Sequence, residues 1–160
     1  MTNPGEALAP IPLARGAAPS GRPLNVYGDL VYIKLSGEET GGRLAVMEDH
    51  VPAGQGPPLH VHHREAEIFY VLEGDFEFEV AGRGFQASAG DFFYVRRDIP
   101  HTFRNAGAGT GRLLITVEPA GLENFFAEIA AAPGPPDPAG AAEIFAKYGL
   151  ELLGPPLALR

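Results

Sequence analysis

Short runs of β-branched and aromatic residues recur along the middle of this chain, and they constrain its fold more than any other feature. Glycine-containing turn signals, such as Ser36-Gly37 and Glu73-Gly74, separate the runs. Many short strands at this spacing are typical of an all-β sandwich or barrel. The predicted strands cover residues 30–35, 44–51, 68–72, 76–80, 92–95, 102–103 and 113–117.

The clearest alternation lies in residues 75–80. Phe76, Phe78 and Val80 share one face of the predicted strand. The acidic residues between them share the other face, because successive side chains of a strand point to opposite sides. This pattern predicts a strand with one face in a core and the other in water.

The two ends of the chain differ from this β-rich middle. Residues 1–23 are rich in Ala, Pro and Gly, which indicates a flexible N-terminal arm before a β domain at 24–120. Residues 121–160 are predicted to form a helical tail packed on the barrel. Apolar residues at helical spacing predict a first helix over 122–131. A second helix is expected from the Asp137 cap to about Tyr148, with Gly149 as its stop.

Composition excludes several classes of function. The chain of 160 residues has no cysteine, so disulfides, thiolate metal sites and cysteine nucleophiles are ruled out. Its net charge is −8, and its largest basic cluster is the pair Arg96-Arg97. An acidic chain without a basic patch predicts no nucleic-acid or anionic-membrane partner. No apolar run approaches a membrane span, and the N-terminus does not resemble a signal peptide, so we expect a cytoplasmic protein.

One stretch, residues 54–74, carries a possible metal site. His60 and His62 are two residues apart, so on a strand both side chains point to the same face. Glu67 lies five residues after His62, an odd number, so on one uninterrupted strand its side chain would point to the opposite face. The chain must therefore kink or bulge around 63–66 to bring Glu67 inward. His63 and Glu65 then fall on the other side and are not expected to bind a metal.

A second block supplies His101, and Phe103 should share its face. Together the two blocks offer three imidazoles and one carboxylate, a complete ligand set for one divalent transition metal. Iron, manganese, nickel, copper and zinc all suit such a site. Nearby polar residues have simpler interpretations: His50 is predicted to lie at the surface, Asp49 and Asp91 in turns, and Asn105 in the turn after the His101 strand.

The residues of these two blocks match a known family, and the chain resembles the cupin superfamily. The first cupin motif corresponds to Gly54, His60, His62, Glu67 and Gly74, and the second to Gly84, Gly90, His101 and Asn105. Ser88 stands where the family usually has a turn-forming proline. The resemblance covers about residues 35–120, and the segment after the last strand is similar to that of small single-domain cupins related to bacterial quercetin dioxygenase-like proteins.

This resemblance implies a double-stranded β-helix, which is a jelly-roll barrel with the metal inside it. It also implies that His60, His62, Glu67 and His101 are the metal ligands, and that two protomers pair as a homodimer through their strands. In quercetinase-like cupins the glutamate equivalent to Glu67 can also accept the substrate's proton, which makes Glu67 a candidate catalytic residue.

Strand parity predicts a mostly apolar pocket beside the metal. Phe69 lies two residues after Glu67, and Phe103 two residues after His101, so each shares the inward face of that residue. Phe78 and Phe93 are further candidates for the pocket lining. Such a pocket suits a small hydrophobic or aromatic substrate that chelates the metal through oxygen. The leading hypothesis is therefore a quercetinase-like, metal-dependent dioxygenase. The alternatives are a non-catalytic small-molecule-binding cupin and a metal-dependent isomerase, epimerase or lyase.

Overall fold

The computed structural model describes residues 11–157, within which two antiparallel β-sheets face each other. The strands are β1 Leu24–Val26, β2 Asp29–Leu35, β3 Ala45–Val51, β4 Pro58–His62, β5 Ala66–Glu73, β6 Asp75–Val80, β7 Arg83–Ser88, β8 Phe92–Val95, β9 His101–Asn105, β10 Gly111–Glu118 and β11 Leu150–Pro156. The first sheet has the strand order β1-β2-β3-β10-β5-β8, and the second has the order β11-β4-β9-β6-β7. This is the predicted all-β jelly roll, built from two open sheets.

The core lies between the two sheets and is built by alternation along the strands. On β6, Phe76 and Phe78 are buried, and Asp75 points to solvent, as the sequence predicts. Phe69 from β5 and Phe103 from β9 meet these rings edge-on or tilted, with ring centroids 5.3–6.1 Å apart. Aromatic pairs at such distances and angles pack favourably, so this cluster joins the two sheets.

Three helices complete the described chain: α1 Gly37–Thr40, α2 Leu122–Ala131 and α3 Pro138–Lys147. Both predicted C-terminal helices are confirmed. Leu122, Phe125 and Ile129 form the buried face of α2. The α3 N-terminus is capped by Asp137, whose side chain accepts a hydrogen bond from the Gly140 N–H at 2.7 Å.

The C-terminal extension also contains a strand that the sequence does not predict. β11 pairs with β4, so that Leu150 lies opposite His62 and Leu152 lies opposite His60. Gly154 and two prolines near its end argue against a strand by local preference. The strand is possible because β11 lies at the edge of its sheet, where a missing N–H leaves no interior partner unpaired.

The N-terminal arm predicted over residues 1–23 lies partly outside the described residues. Its described part, residues 11–23, contacts the first sheet. Arg15 forms an ion pair with Glu73 at 2.6 Å, and Lys34 donates a hydrogen bond to the Ala17 carbonyl at 2.6 Å. Among residues 11–157, no helix has the length and hydropathy needed to cross a bilayer.

Candidate metal centre

The side chains of His60, His62 and Glu67 are positioned by β4 and β5, the two strands on either side of the predicted break. β4 ends at His62 and β5 begins at Ala66, so the chain breaks over residues 63–65, as the parity of Glu67 requires. The break is anchored on both sides. The His63 N–H donates to the Gly149 carbonyl, and the Asp98 N–H donates to the His62 carbonyl, both at 2.8 Å.

His60, His62, Glu67 and His101 converge between the sheets. The three histidines come from the second sheet, where His60 lies directly opposite His101, and Glu67 comes from β5 of the first sheet. One potential ligand atom from each residue lies within 4.8 Å of the others, and all four side chains are buried. The cluster therefore spans the two layers of the fold.

Each imidazole is oriented by a contact at its Nδ1 atom. His60 Nδ1 lies 2.7 Å from the Pro58 carbonyl oxygen, and His101 Nδ1 lies 2.9 Å from that of Ile99. Because a carbonyl can only accept, these Nδ1 atoms carry a proton, and in the neutral form of each ring the Nε2 lone pair is available to a metal. The three Nε2 atoms then face the shared point, which is how neutral histidines bind a metal.

The contact at Nδ1 of His62 comes from Glu65, a residue that the sequence predicts to lie outside the metal site. Glu65 is 2% exposed, and its Oε2 lies 3.4 Å from His62 Nδ1. A carboxylate behind a histidine fixes the ring and increases the basicity of the other nitrogen. In the sequence, this role of Glu65 is indicated by its position three residues after His62. That position lies within the break, where side chains no longer alternate between two faces.

The electrostatics of the cluster favour a bound cation. Burial, together with His101 and His62, lowers the pKa of His60 to about 3, so this ring is neutral. Burial disfavours the charged form of Glu67, but attraction by His62 and the hydrogen bond from His101 outweigh it and lower the pKa of Glu67 to about 2.

Two Nε2 atoms, of His60 and His62, lie only 3.1 Å apart. When both rings are neutral, lone pairs at this distance repel each other unless a cation lies between them. The donor set therefore fits a divalent transition metal.

A cavity of about 500 Å³ adjoins the cluster, and His60, His62 and Glu67 form part of its wall. Phe69 and Phe103, two of the four predicted pocket aromatics, line this cavity together with the apolar face of α2. Phe78 and Phe93 stack on each other instead, with centroids 4.3 Å apart, and the lining does not include them. They belong to the aromatic core, in which Phe78 also contacts Phe69 and Phe103.

Asp49 is not the turn residue that the sequence predicts. It lies in the middle of β3, is 5% exposed and faces the cavity together with Asp29 of β2. The turn prediction for Asp49 is wrong, whereas the strand predicted over residues 44–51 is confirmed as β3 and contains Asp49. Asn105 does organise the loop after β9: its amide donates to the Val51 and Gly109 carbonyls, both at 2.8 Å.

Comparison with known proteins agrees with this architecture. Residues 47–117 match a family model described as a cupin domain. The chain is 31% identical over 78 residues to quercetin 2,3-dioxygenase of Bacillus subtilis, which is 48% of this chain and 23% of that enzyme. The alignments span only 23% to 54% of the lengths of the first curated relatives.

Solved structures with the same fold include two of note. KdgF from a Halomonas species has 21% identity and a TM-score of 0.56, covering 61% of this chain and 84% of that one. The polyketide cyclase RemF from Streptomyces resistomycificus has 25% identity and a TM-score of 0.51, covering 61% of this chain and 68% of that one.

Proposed function

We propose that this chain, in which residues 47–117 match a cupin-domain family model, is a metal-dependent dioxygenase for a small hydrophobic or aromatic substrate that chelates through oxygen. The observation that carries the proposal is a buried cluster of three histidines and a glutamate opening on a cavity of about 500 Å³. Cavities of roughly 300–1,000 Å³ with few polar groups are typical binding sites for small organic ligands.

His60, His62, Glu67 and His101 would hold the metal. When bound, a divalent transition metal supplies Lewis acidity toward substrate oxygen atoms and, if it is redox-active, a route for electrons to dioxygen. The protein's own contribution is orientation: the contacts at Nδ1 fix the rings, and Glu67 Oε2 lies 2.8 Å from His101 Nε2 and 3.2 Å from His62 Nε2. Glu67 also remains a candidate catalytic residue that accepts the substrate's proton.

The apolar lining would bind the carbon skeleton of the substrate and exclude water. Phe69 and Phe103 line the cavity, as do Leu122 and Phe125 of α2. Excluding water strengthens polar interactions inside the site and protects reactive species from hydrolysis. The likeness to quercetin 2,3-dioxygenase supports an aromatic, oxygen-bearing substrate.

Metal content tests the ligand assignment. Purified protein should contain about one transition-metal ion per chain by elemental analysis, as one ligand set predicts. His62→Ala should lose this stoichiometric metal, because it removes one of three imidazoles. His63→Ala is the matched control, because His63 lies outside the cluster and contacts Asp98 and Glu151 instead. Metal retained at wild-type stoichiometry in His62→Ala would contradict the assignment.

Oxygen consumption tests the reaction. Metal-loaded protein should consume dioxygen with at least one member of a panel of flavonols, catechols and 1,3-diketones, and His62→Ala should not. Full metal content without oxygen uptake on any of them would refute the dioxygenase proposal. Substrate binding under those conditions would then favour the alternative of a non-catalytic small-molecule-binding protein.

A second candidate is a redox-neutral reaction such as isomerisation, epimerisation or elimination. The sequence argues against it because the assignable inward positions are apolar. Asp29, Asp49 and Gln55 nevertheless line the cavity, and carboxyl groups of this kind can transfer protons. The likeness to a polyketide cyclase also supports it. Product formation from a candidate substrate without oxygen uptake would favour this candidate over the dioxygenase.

A further inference from the structure

The cavity has a second polar region besides the histidine cluster, formed by Asp29 and Asp49. Asp49 lies opposite Val31 in the pairing of β2 with β3. Asp29 is two residues before Val31 and therefore shares its face. Both carboxyl groups line the same cavity as His60, His62 and Glu67. They are diagonal neighbours on one sheet, close enough for their charges to interact.

Asp49 has an unused hydrogen-bonding atom. The residue is 5% exposed, and within residues 11–157 its Oδ1 has no hydrogen-bond partner. Buried polar atoms in folded proteins almost always have a partner, so an exception requires an explanation. A ligand in the cavity that carries a hydroxyl group would supply the missing partner.

The pair is suited to hold and exchange a proton near neutral pH. Burial, followed by the charges of Asp29 and Glu67, raises the pKa of Asp49 well above its usual range. Burial raises the pKa of Asp29 to about 7. Within the described part of the chain, the other titratable groups that line the cavity are Tyr27, which precedes β2, and His60, His62 and Glu67. Two interacting carboxyl groups titrate as a pair, so one proton can be shared between them.

We propose that the Asp29–Asp49 pair accepts the proton from, and hydrogen-bonds to, the hydroxyl group of a phenolic or enolic ligand in this cavity, an inference that rests on the proposed function. The ligand's O–H bond breaks, a carboxylate oxygen of the pair gains the proton, and the ligand remains as its oxyanion. No electron is transferred and no co-reactant is needed. The pair thus takes the proton-accepting role for which Glu67 is the other candidate, while Glu67, whose Oε2 contacts His62 and His101, binds the metal.

The test is a proton count on ligand binding. Zinc-loaded protein, which cannot exchange electrons with dioxygen, is titrated with 3-hydroxyflavone in a calorimeter, in two buffers of different ionisation enthalpy. If the pair retains the ligand's proton, the wild type releases almost none to the buffer. Asp49→Asn and Asp29→Asn should each release about one proton more per ligand bound, because the remaining carboxyl already holds the shared proton and an amide cannot accept a second one.

The controls separate the two proposals. Asp75→Asn changes an exposed aspartate on β6 and should keep the wild-type proton count. Equal proton counts in the wild type and both pair variants would overturn this inference and leave the proposed function intact. Absence of 3-hydroxyflavone binding to the zinc-loaded wild type would overturn both. If Asp49→Asn does not fold, Asp29→Asn alone decides the outcome, because either substitution removes one carboxyl from the pair.

Discussion

At the scale of single residues, the carboxylate of Glu65 is important because it contacts a metal-ligand histidine without being one of the four proposed ligands. Glu65 follows His62 by three residues and contacts its Nδ1 from the side away from the other histidines. It is as deeply buried as His62 and His101, each of which is 2% exposed. A charged group that deep is rare unless it has a partner. Its burial is therefore best explained by its contact with the His62 ring.

Replacing this carboxylate should weaken metal binding without removing a ligand. Glu65→Gln keeps the side chain's shape but removes the charge that holds the His62 ring. We expect zinc affinity to fall by roughly 10- to 100-fold, the usual cost of losing such a partner. Competition with a chromophoric chelator measures the affinity. Glu38→Gln, at an exposed site in α1, is the control. Equal affinities would mean that His62 is oriented without Glu65.

The raised pKa of Asp29 predicts a pH dependence of stability in the metal-free protein. The carboxyl has a pKa of about 7 in the folded chain, against its ordinary value of 3.8. A raised folded-state pKa gives stability that is complete below the unfolded value and is lost as pH rises through the folded value. The free energy of unfolding should therefore fall between pH 5 and pH 8, by up to about 3 kcal/mol from this group.

Urea unfolding of the metal-free protein at pH 5 and pH 8 measures this loss. Asp29→Asn has no titrating group at the position and should lose correspondingly less stability over the same interval. Parallel pH profiles for the wild type and Asp29→Asn would show that Asp29 titrates normally. The comparison needs no ligand, so it is independent of the calorimetric experiment.

At the scale of secondary-structure elements, the turn between β5 and β6 determines how the two sheets connect. β5 belongs to the first sheet and β6 to the second, and Gly74 alone separates them. Gly74 has a φ of +92°, and a Cβ atom there would lie 3.1 Å from the Gly111 Cα. Residues other than glycine rarely adopt this conformation. The glycine is therefore required by the crossing between sheets.

Gly74→Ala should destabilise the fold through backbone strain and this close contact. We expect the free energy of unfolding to fall by about 1–3 kcal/mol, the usual cost of a residue held in a rarely populated conformation. Denaturant unfolding measures the change. Gly84→Ala on β7 is the matched control, because a Cβ there meets nothing within 4 Å and should have little effect. Similar losses in both variants would contradict the proposed role of the turn.

At the scale of the whole molecule, an exposed row of aromatic side chains lies along one sheet edge. β8 is the edge strand of the first sheet, and its Phe92 and Tyr94 are 59% and 56% exposed. Tyr70 of the neighbouring β5 lies opposite Phe92 and is 41% exposed. Contiguous exposed apolar surface of this kind usually marks an interaction site, and an unpaired edge strand can pair with another chain. The row is therefore the best candidate surface for the homodimer expected from the cupin resemblance.

Adding charge to this edge should prevent dimerisation. We expect the wild type to sediment as a dimer and the double variant Phe92→Asp, Tyr94→Asp to sediment as a monomer, because burying two unpaired carboxylates in an apolar interface is unfavourable. Leu153→Asp changes an exposed apolar residue on β11, at the edge of the other sheet, and should leave the dimer intact. A monomeric wild type, or a double variant that remains dimeric, would refute this interface.

Local periodicity is sufficient to predict much of the molecule. Alternation predicts the buried face of β6, and helical spacing predicts α2. The i, i+2 spacing of His60 and His62 places both on one face, and the parity of Glu67 requires the break that separates β4 from β5. These predictions succeed because the side-chain direction within one element depends only on the period of that element.

The remaining features depend on which elements meet, and no local period contains that information. His101 lies 41 residues after His60 in the chain, yet the two are directly paired, and Glu67 reaches them from the opposite sheet. The pairing of β11 with β4, the burial of Glu65 and the convergence of Asp29 and Asp49 on the cavity also result from contacts between distant segments. The order of residues was therefore enough to specify most of the strands, their inward faces and the types of donor atom. Which side chains meet, and which of them share the cavity, depends on the folded chain, because long-range strand pairing and packing bring them together.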